Sequence, residues 1–140
     1  MNRRTPKMVK GLLIDPYTKN TSVVEYNGND RFCIERLLDC DVEYRNIGEH
    51  DVTKTKGQIC LFIPHEQSDM IMEKPFAFND SVFFGSGVIV KLGNYDNEYE
   101  FCTETLTKKE MVELSEQIKF NLKIKYKEIV TKEIEEIELV

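Results

Sequence analysis

The stretch Gln58-Ile59-Cys60-Leu61-Phe62-Ile63-Pro64 decides how this chain folds. Five consecutive apolar residues without a polar interruption form a strand buried on both faces, and Pro64 ends it because proline has no N–H to give to a sheet ladder. A short strand of that kind needs partners on either side and cover above and below. The neighbouring segments supply strands. Val9 to Ile14 is a short apolar strand, followed by turn chemistry in Asp15-Pro16-Tyr17-Thr18-Lys19-Asn20. Aspartate there bonds its own downstream backbone, and proline presets the turn dihedral. Thr21 to Tyr26 is rich in β-formers and reads as the return strand of a hairpin.

Asn27-Gly28-Asn29-Asp30 breaks that strand, and the apolar spacing of Cys33, Ile34, Leu37 and Leu38 predicts a helix over about 30–39. Asp41 to Ile47 alternates polar and apolar residues, the pattern of a half-buried strand. Gly48 to Lys56 is polar and loop-like. His65 to Lys74 is mixed, with Met70-Ile71-Met72 as an edge or a turn of helix, and Pro75 to Asp80 reads as irregular but apolar. Val82-Phe83-Phe84 leads through Gly85-Ser86-Gly87 into the strand Val88 to Leu92, and Tyr99 to Thr103 reads as its hairpin partner. Thr107-Lys108-Lys109-Glu110 is a capping box, and Met111, Leu114 and Ile118 mark a helix face behind it. After Ile118 two periods compete. Ile118, Leu122, Tyr126, Val130, Ile134 and Ile137 continue the helical stripe, whereas Phe120, Leu122, Ile124 and Tyr126 alternate with Asn121, Lys123, Lys125 and Lys127 as a strand would. The helical reading is preferred, and with it a homodimer contact through the C-terminal helix.

These elements predict an α+β fold: a mostly antiparallel sheet of five to seven strands with two helices packed on one face. The predicted organisation is a basic flexible N-terminus over 1–8, one domain over 9–120, and a charged extension over 121–140 that continues the last helix. The length of 140 residues and a hydrophobic share of 41% fit one domain with a real core. No apolar run approaches the roughly 20 residues that cross a bilayer, so no membrane is expected as partner. The net charge of −6 lacks the basic field of a general nucleic-acid binder; Arg3, Arg4, Lys7 and Lys10 form only a short basic tip.

Chemistry-bearing motifs are sparse. Cys33, Cys40, Cys60 and Cys102 contain no C-x-x-C pair and sit beside apolar residues, as packed free thiols do. Cys60 and His65, even with His50, do not make a zinc motif, so no metal is expected. The same residue types leave no Cys-His catalytic pair and no catalytic residue to name. Asp96-Asn97-Glu98 lacks the order of a calcium loop. Asp15, Asp39 and Asp41 stand near element ends, Asp15 as a turn-former. Gly85-Ser86-Gly87 lacks the third glycine and the following helix of a dinucleotide fingerprint and reads first as a bend; a phosphate-binding turn at Gly85, Ser86 and Gly87 is the alternative. No cofactor is expected. The aromatic set Phe76, Phe78, Phe83, Phe84, Tyr95 and Tyr99 fills a core or, where exposed, makes a recognition surface, for which Phe76, Phe78, Tyr95 and Tyr99 are the candidates.

The order of several landmarks resembles a family of small uncharacterised domains encoded by phages, mobile elements and some Firmicutes. The carriers are Lys10-Gly11-Leu12-Leu13-Ile14-Asp15-Pro16, Val23-Val24-Glu25-Tyr26, Leu37-Leu38-Asp39-Cys40, Phe84-Gly85-Ser86-Gly87-Val88-Ile89-Val90, Leu106-Thr107-Lys108-Lys109-Glu110-Met111 and Ile118-Lys119-Phe120. The likeness covers about residues 9–120. It departs at His65-Glu66-Gln67-Ser68-Asp69, where the family has an acidic turn ending in glycine, and past residue 120, where it has no counterpart. The resemblance carries no activity. It implies an accessory protein working in the cytoplasm of a host cell. The leading expectation is a non-enzymatic protein that binds a host or viral protein; the alternatives are a small-ligand or nucleotide binder using the glycine bend, and a minor structural component of a virion.

Overall fold

The computed structural model describes residues 6–30, 32–47, 58–92, 103–126 and 134–139. The expected apolar strands form first: β1 (Met8–Asp15), β2 (Asn20–Asn27), β4 (Gln58–Pro64) and β7 (Gly87–Leu92), with β3 (Val42–Asn46) at the alternating segment. They make one antiparallel sheet in the order β2-β1-β7-β4-β3, and β8 (Thr103–Glu104) pairs with the end of β7. β4 and β7 lie centrally, as continuous apolar strands must. Along β7, Val88 and Val90 join one buried cluster and Ile89 joins the other. Cys60 and Phe62 of β4 sort the same way against Ile59, Leu61 and Ile63, because successive side chains point to opposite faces.

The first face is covered by α1 (Cys33–Leu38), whose Cys33 and Ile34 pack among Val9, Tyr26, Cys60, Phe62, Val88 and Val90. The second face carries α2 (Lys108–Glu116) and a small sheet in the order β6-β5-β9, formed by β5 (Pro75–Phe78), β6 (Ser81–Phe84) and β9 (Ile118–Lys119). Leu114, Ile118, Phe76, Phe78, Phe83 and Leu106 bury there against Leu12, Ile14, Leu61 and Ile89. The antiparallel α+β architecture is therefore as expected, but the helices lie over opposite faces. A sheet apolar on both sides forces this division.

Pro75–Phe78, expected to be irregular, is a strand. Its partner follows after Asn79-Asp80, with Asn79 at φ 53° supplying the left-handed residue that a two-residue hairpin turn needs. The 65–74 segment contributes a short 3-10 turn, Gln67–Met70.

The C-terminal stripe is not helical. α2 ends at Glu116, Ile118 pairs with Phe78, and β10 (Leu122–Tyr126) forms a ribbon with β11 (Ile134–Leu139). The described residues past Glu116 do not continue the last helix, so the helix expected to carry a dimer contact is not formed by them. Two forces decide it. In a helix, Lys119, Lys123 and Lys127 would stack at i, i+4 and repel. In the ribbon Lys123 lies opposite Glu138 and Lys125 opposite Glu136, and opposite charges across a ladder stabilise it. The register shift beside Tyr126 absorbs the extra Glu135, so Tyr126 meets Ile134 as Ile124 meets Ile137. At the other end of the chain, Lys7 is tied down: its N–H donates to Asn27 Oδ1 and its Nζ meets Glu104 Oε1 at 2.9 Å.

α2 is held by its capping box and by a buried ion pair. Thr107 N–H donates to Glu110 Oε1 at 2.8 Å, and Glu110 N–H donates to Thr107 Oγ1 at 3.1 Å. The same Oε1 accepts from Lys91 Nζ of β7 at 3.2 Å, and the two residues are only 7% and 4% exposed. Burial works against the Glu110 charge, but the bonds from Thr107 and the Lys91 ammonium outweigh it and hold the carboxyl below its usual range. A carboxyl depressed in the folded state stabilises fully above its unfolded pKa of about 4.3, and that contribution is lost as pH falls through the folded value. Lys91→Met strands a buried carboxylate, so urea unfolding at pH 7 is expected to show a loss of about 3 kcal/mol that narrows toward pH 3. Equal stability of the two proteins at pH 7 contradicts this role.

Candidate functional site

Phe76 and Phe78 do not form a recognition surface. Both are buried in the second-face core, where the Phe76 and Phe83 rings lie 5.6 Å apart. β5 sits between β6 and β9 and directs these rings onto the main sheet. Phe83 and Phe84 are buried with them. Tyr95 and Tyr99, the other two candidates, lie outside the described residues, as do Asp96-Asn97-Glu98, His50 and Cys102.

Gly85, Ser86 and Gly87 form the bend between β6 and β7. Gly85 has φ 86°, and a Cβ there would stand 3.0 Å from Pro64 Cγ and 3.3 Å from Met70 Cε. A Cβ on Gly87 would stand 2.9 Å from Phe76 Cζ and 3.2 Å from Leu61 Cδ1. Both glycines answer to packing and backbone geometry. The bend is fixed by Gln67, whose Nε2 donates to the carbonyls of Pro64 and Phe84 at 3.0 Å and whose Oε1 accepts from Phe84 N–H at 2.7 Å. The Gly85 N–H donates to the Lys74 carbonyl. These contacts account for the motif as a tight corner, the first of its two readings.

The three described thiols all titrate above the ordinary cysteine value. Burial pushes Cys33 up to about 12, with Asp30 and Glu35 adding to the shift, and burial pushes Cys60 up to about 11. Cys40 is exposed at the end of α1, and its thiol is also raised, by partial burial and then by the charges of Asp41, Asp39 and Glu35. Thiolate is the nucleophile and the metal ligand, so all three are in the unreactive form at neutral pH. Cys60 points into the α1-side core, whereas His65 is exposed beyond Pro64, its N–H donating to the Asp41 carbonyl. Among the described residues no three His, Cys, Asp or Glu side chains converge as metal ligands do. Asp15 accepts from Tyr17 and Thr18 N–H, the turn role read from the sequence. Asp39, at φ 54°, ends α1 in the left-handed conformation.

Among the described residues, the α1 side of the main sheet is the less covered one. α1 has six residues and is about 9 Å long, while five strands span about 19 Å from edge to edge. One short helix cannot cover that width. Val24, Leu37, Leu38, Val42 and Leu92 are accordingly only partly buried against the α1-side cluster. Tyr44, on the edge strand β3, is 62% exposed, with its ring 5.9 Å from that of Phe62. Phe32, before α1, is also exposed. Beside them stand Glu35, Arg36 and Asp39 of α1 and its end, with an ion pair from Arg36 to Asp30, whereas Glu43 and Arg45 pair with each other on the opposite face of β3. These residues make a partly apolar strip with an exposed aromatic ring and charged side chains of α1 beside it.

Sequence reasoning missed Tyr44. It read the Asp41–Ile47 alternation as half-buried, and nothing in that pattern says which face goes uncovered. The only signal was the shortness of the helix before it.

Comparison of the chain with protein-family models, with curated proteins and with solved structures finds no match. No described helix is long and apolar enough to cross a membrane.

In the native protein, alkylation at pH 8 followed by peptide mapping is expected to mark Cys40 slowly and to leave Cys33 and Cys60 unmodified until denaturant is added. Rapid native labelling of Cys33 or Cys60 contradicts their placement.

Proposed function

We propose that this chain is a non-enzymatic accessory protein of the phage type that binds a host or viral protein in the host cytoplasm, using the α1 side of its sheet. The observation that carries the reading is Tyr44. A tyrosine 62% exposed on an edge strand, its ring tilted against that of a core phenylalanine and on the same side of the sheet as half-buried Leu37, Leu38 and Val42, is left largely in water by the described residues and gains burial when another surface covers it. Its neighbours already pack on the core, so the anchor is held in place before binding and loses little freedom on association. The resemblance of its landmarks to phage and mobile-element domains motivates the cellular setting. The three described thiols, raised above the ordinary cysteine value, and the packed glycine corner support binding by surface rather than chemistry at those positions.

The test uses three baits in a host-cell lysate: the natural chain, Tyr44→Glu, and Val112→Lys, which alters an exposed residue of α2 over the opposite face. All three are checked for an unchanged fold by circular dichroism. One near-stoichiometric protein is expected with the natural chain and with Val112→Lys, and its capture is expected to fall by at least about tenfold with Tyr44→Glu, the size of a modest hot spot. Equal capture by Tyr44→Glu, or capture of no protein by any bait, contradicts the reading.

A further inference from the structure

Sheet edges attract strands, and proteins blunt them with charge, brevity, proline or bulges. Most edges among the described residues are blunted in these ways. β3 carries Glu43 and Arg45, β6 has four residues, β10 carries Lys123 and Lys125, and β11 carries Glu135, Glu136 and Glu138. β2 is different. It is eight residues long, and its register with β1 runs unbroken from Met8↔Asn27 to Asp15↔Asn20. It contains no proline and no cation, and its one carboxylate, Glu25, lies across from Lys10 on β1. No described strand pairs with its outer side. Its middle is Ser22-Val23-Val24, with Val23 56% exposed.

We propose that the free edge of β2 pairs antiparallel with β2 of a second copy of this chain, about a twofold axis at Val23. The layout of the strand selects this occupant. In a continuous antiparallel sheet, residues directly opposite share a face, so a twofold places either Val23 or Val24 against its own twin. Val23 is the exposed one, whereas Val24 already packs on the core, so pairing at Val23 buries more apolar surface. In that register Glu25 lies opposite Thr21 of the second copy and the two carboxylates never meet. A twofold about the ribbon edges would instead set lysine against lysine on β10 or glutamate against glutamate on β11, which is destabilising. The contact pairs residues 20–26 over about 23 Å of one strand and is small, so the dimer forms in a concentration-dependent way. This surface is separate from the Tyr44 face, and its failure leaves that reading intact.

Sedimentation velocity of the full chain over rising concentration tests it. The weight-average mass is expected to climb from 16.4 kDa toward twice that value. Val23→Lys sets two ammonium groups opposite each other and is expected to weaken association at least tenfold. Thr21→Lys sets an ammonium opposite Glu25 of the second copy and is expected to tighten it several-fold. Thr21→Lys also decides the matter if Val23→Lys does not fold, as judged by circular dichroism. A chain that stays monomeric at the highest concentration, a dimer unaffected by Val23→Lys, or one not tightened by Thr21→Lys overturns the proposal.

Discussion

β7 is buried on both of its faces, and this constraint shapes the rest of the molecule. Val88 and Val90 need an apolar cover on one side of the sheet, and Ile89 needs one on the other. Even Lys91, on the side of Ile89, is buried and must find a carboxylate. The chain therefore has to cross its sheet twice with material that excludes water. It does so with unequal means. Among the described residues, one face receives α2, the β6-β5-β9 sheet and a row of phenylalanines, and the other receives the six residues of α1.

That inequality links packing to function in this account. The heavily covered face is a stability core. Its aromatic residues are unavailable to a partner, and removing one of them, such as Phe76, would be expected to cost about 3–5 kcal/mol rather than to alter recognition. The lightly covered face keeps apolar side chains half in water. A single exposed aromatic is ordinary in a folded protein; here Tyr44 lies on the same side of the sheet as half-buried Val42, Leu37 and Leu38, and a contiguous apolar strip is what marks a contact surface. The same economy of cover explains why the buried Lys91–Glu110 pair sits under α2. A buried charge pair needs added hydrogen bonds to offset desolvation, and at Glu110 the capping box gives Oε1 a second donor beside Lys91 while Oε2 stays buried without one among the described residues.

Much of the main sheet was legible in the residues. The uninterrupted apolar runs at 58–63 and 88–92 became its centre, and the capping box at Thr107 and Glu110 formed as its spacing demands. What could not be read was tertiary. Pro75-Phe76-Ala77-Phe78 has no period that separates core strand from exposed loop, and only the second-face core reveals that Phe76 and Phe78 are inside. The C-terminal segment satisfied both a helical and a strand period up to Tyr126. The register with β11, far along the chain, sets Lys123 opposite Glu138 and Lys125 opposite Glu136 and so favours the strand. Tyr44 was hidden for a related reason: its exposure follows from how little of the sheet α1 can cover, a matter of width that no local pattern contains.

Hydroxyl-radical footprinting of the free protein, read residue by residue by mass spectrometry, tests the unequal cover most directly. The account expects rapid oxidation of Tyr44 and measurable oxidation of Leu37 and Leu38, with Phe76, Phe78 and Phe83 protected by at least an order of magnitude. Comparable protection of Tyr44 and Phe76 would mean that the α1 face is as dry as the other, and the account would be wrong.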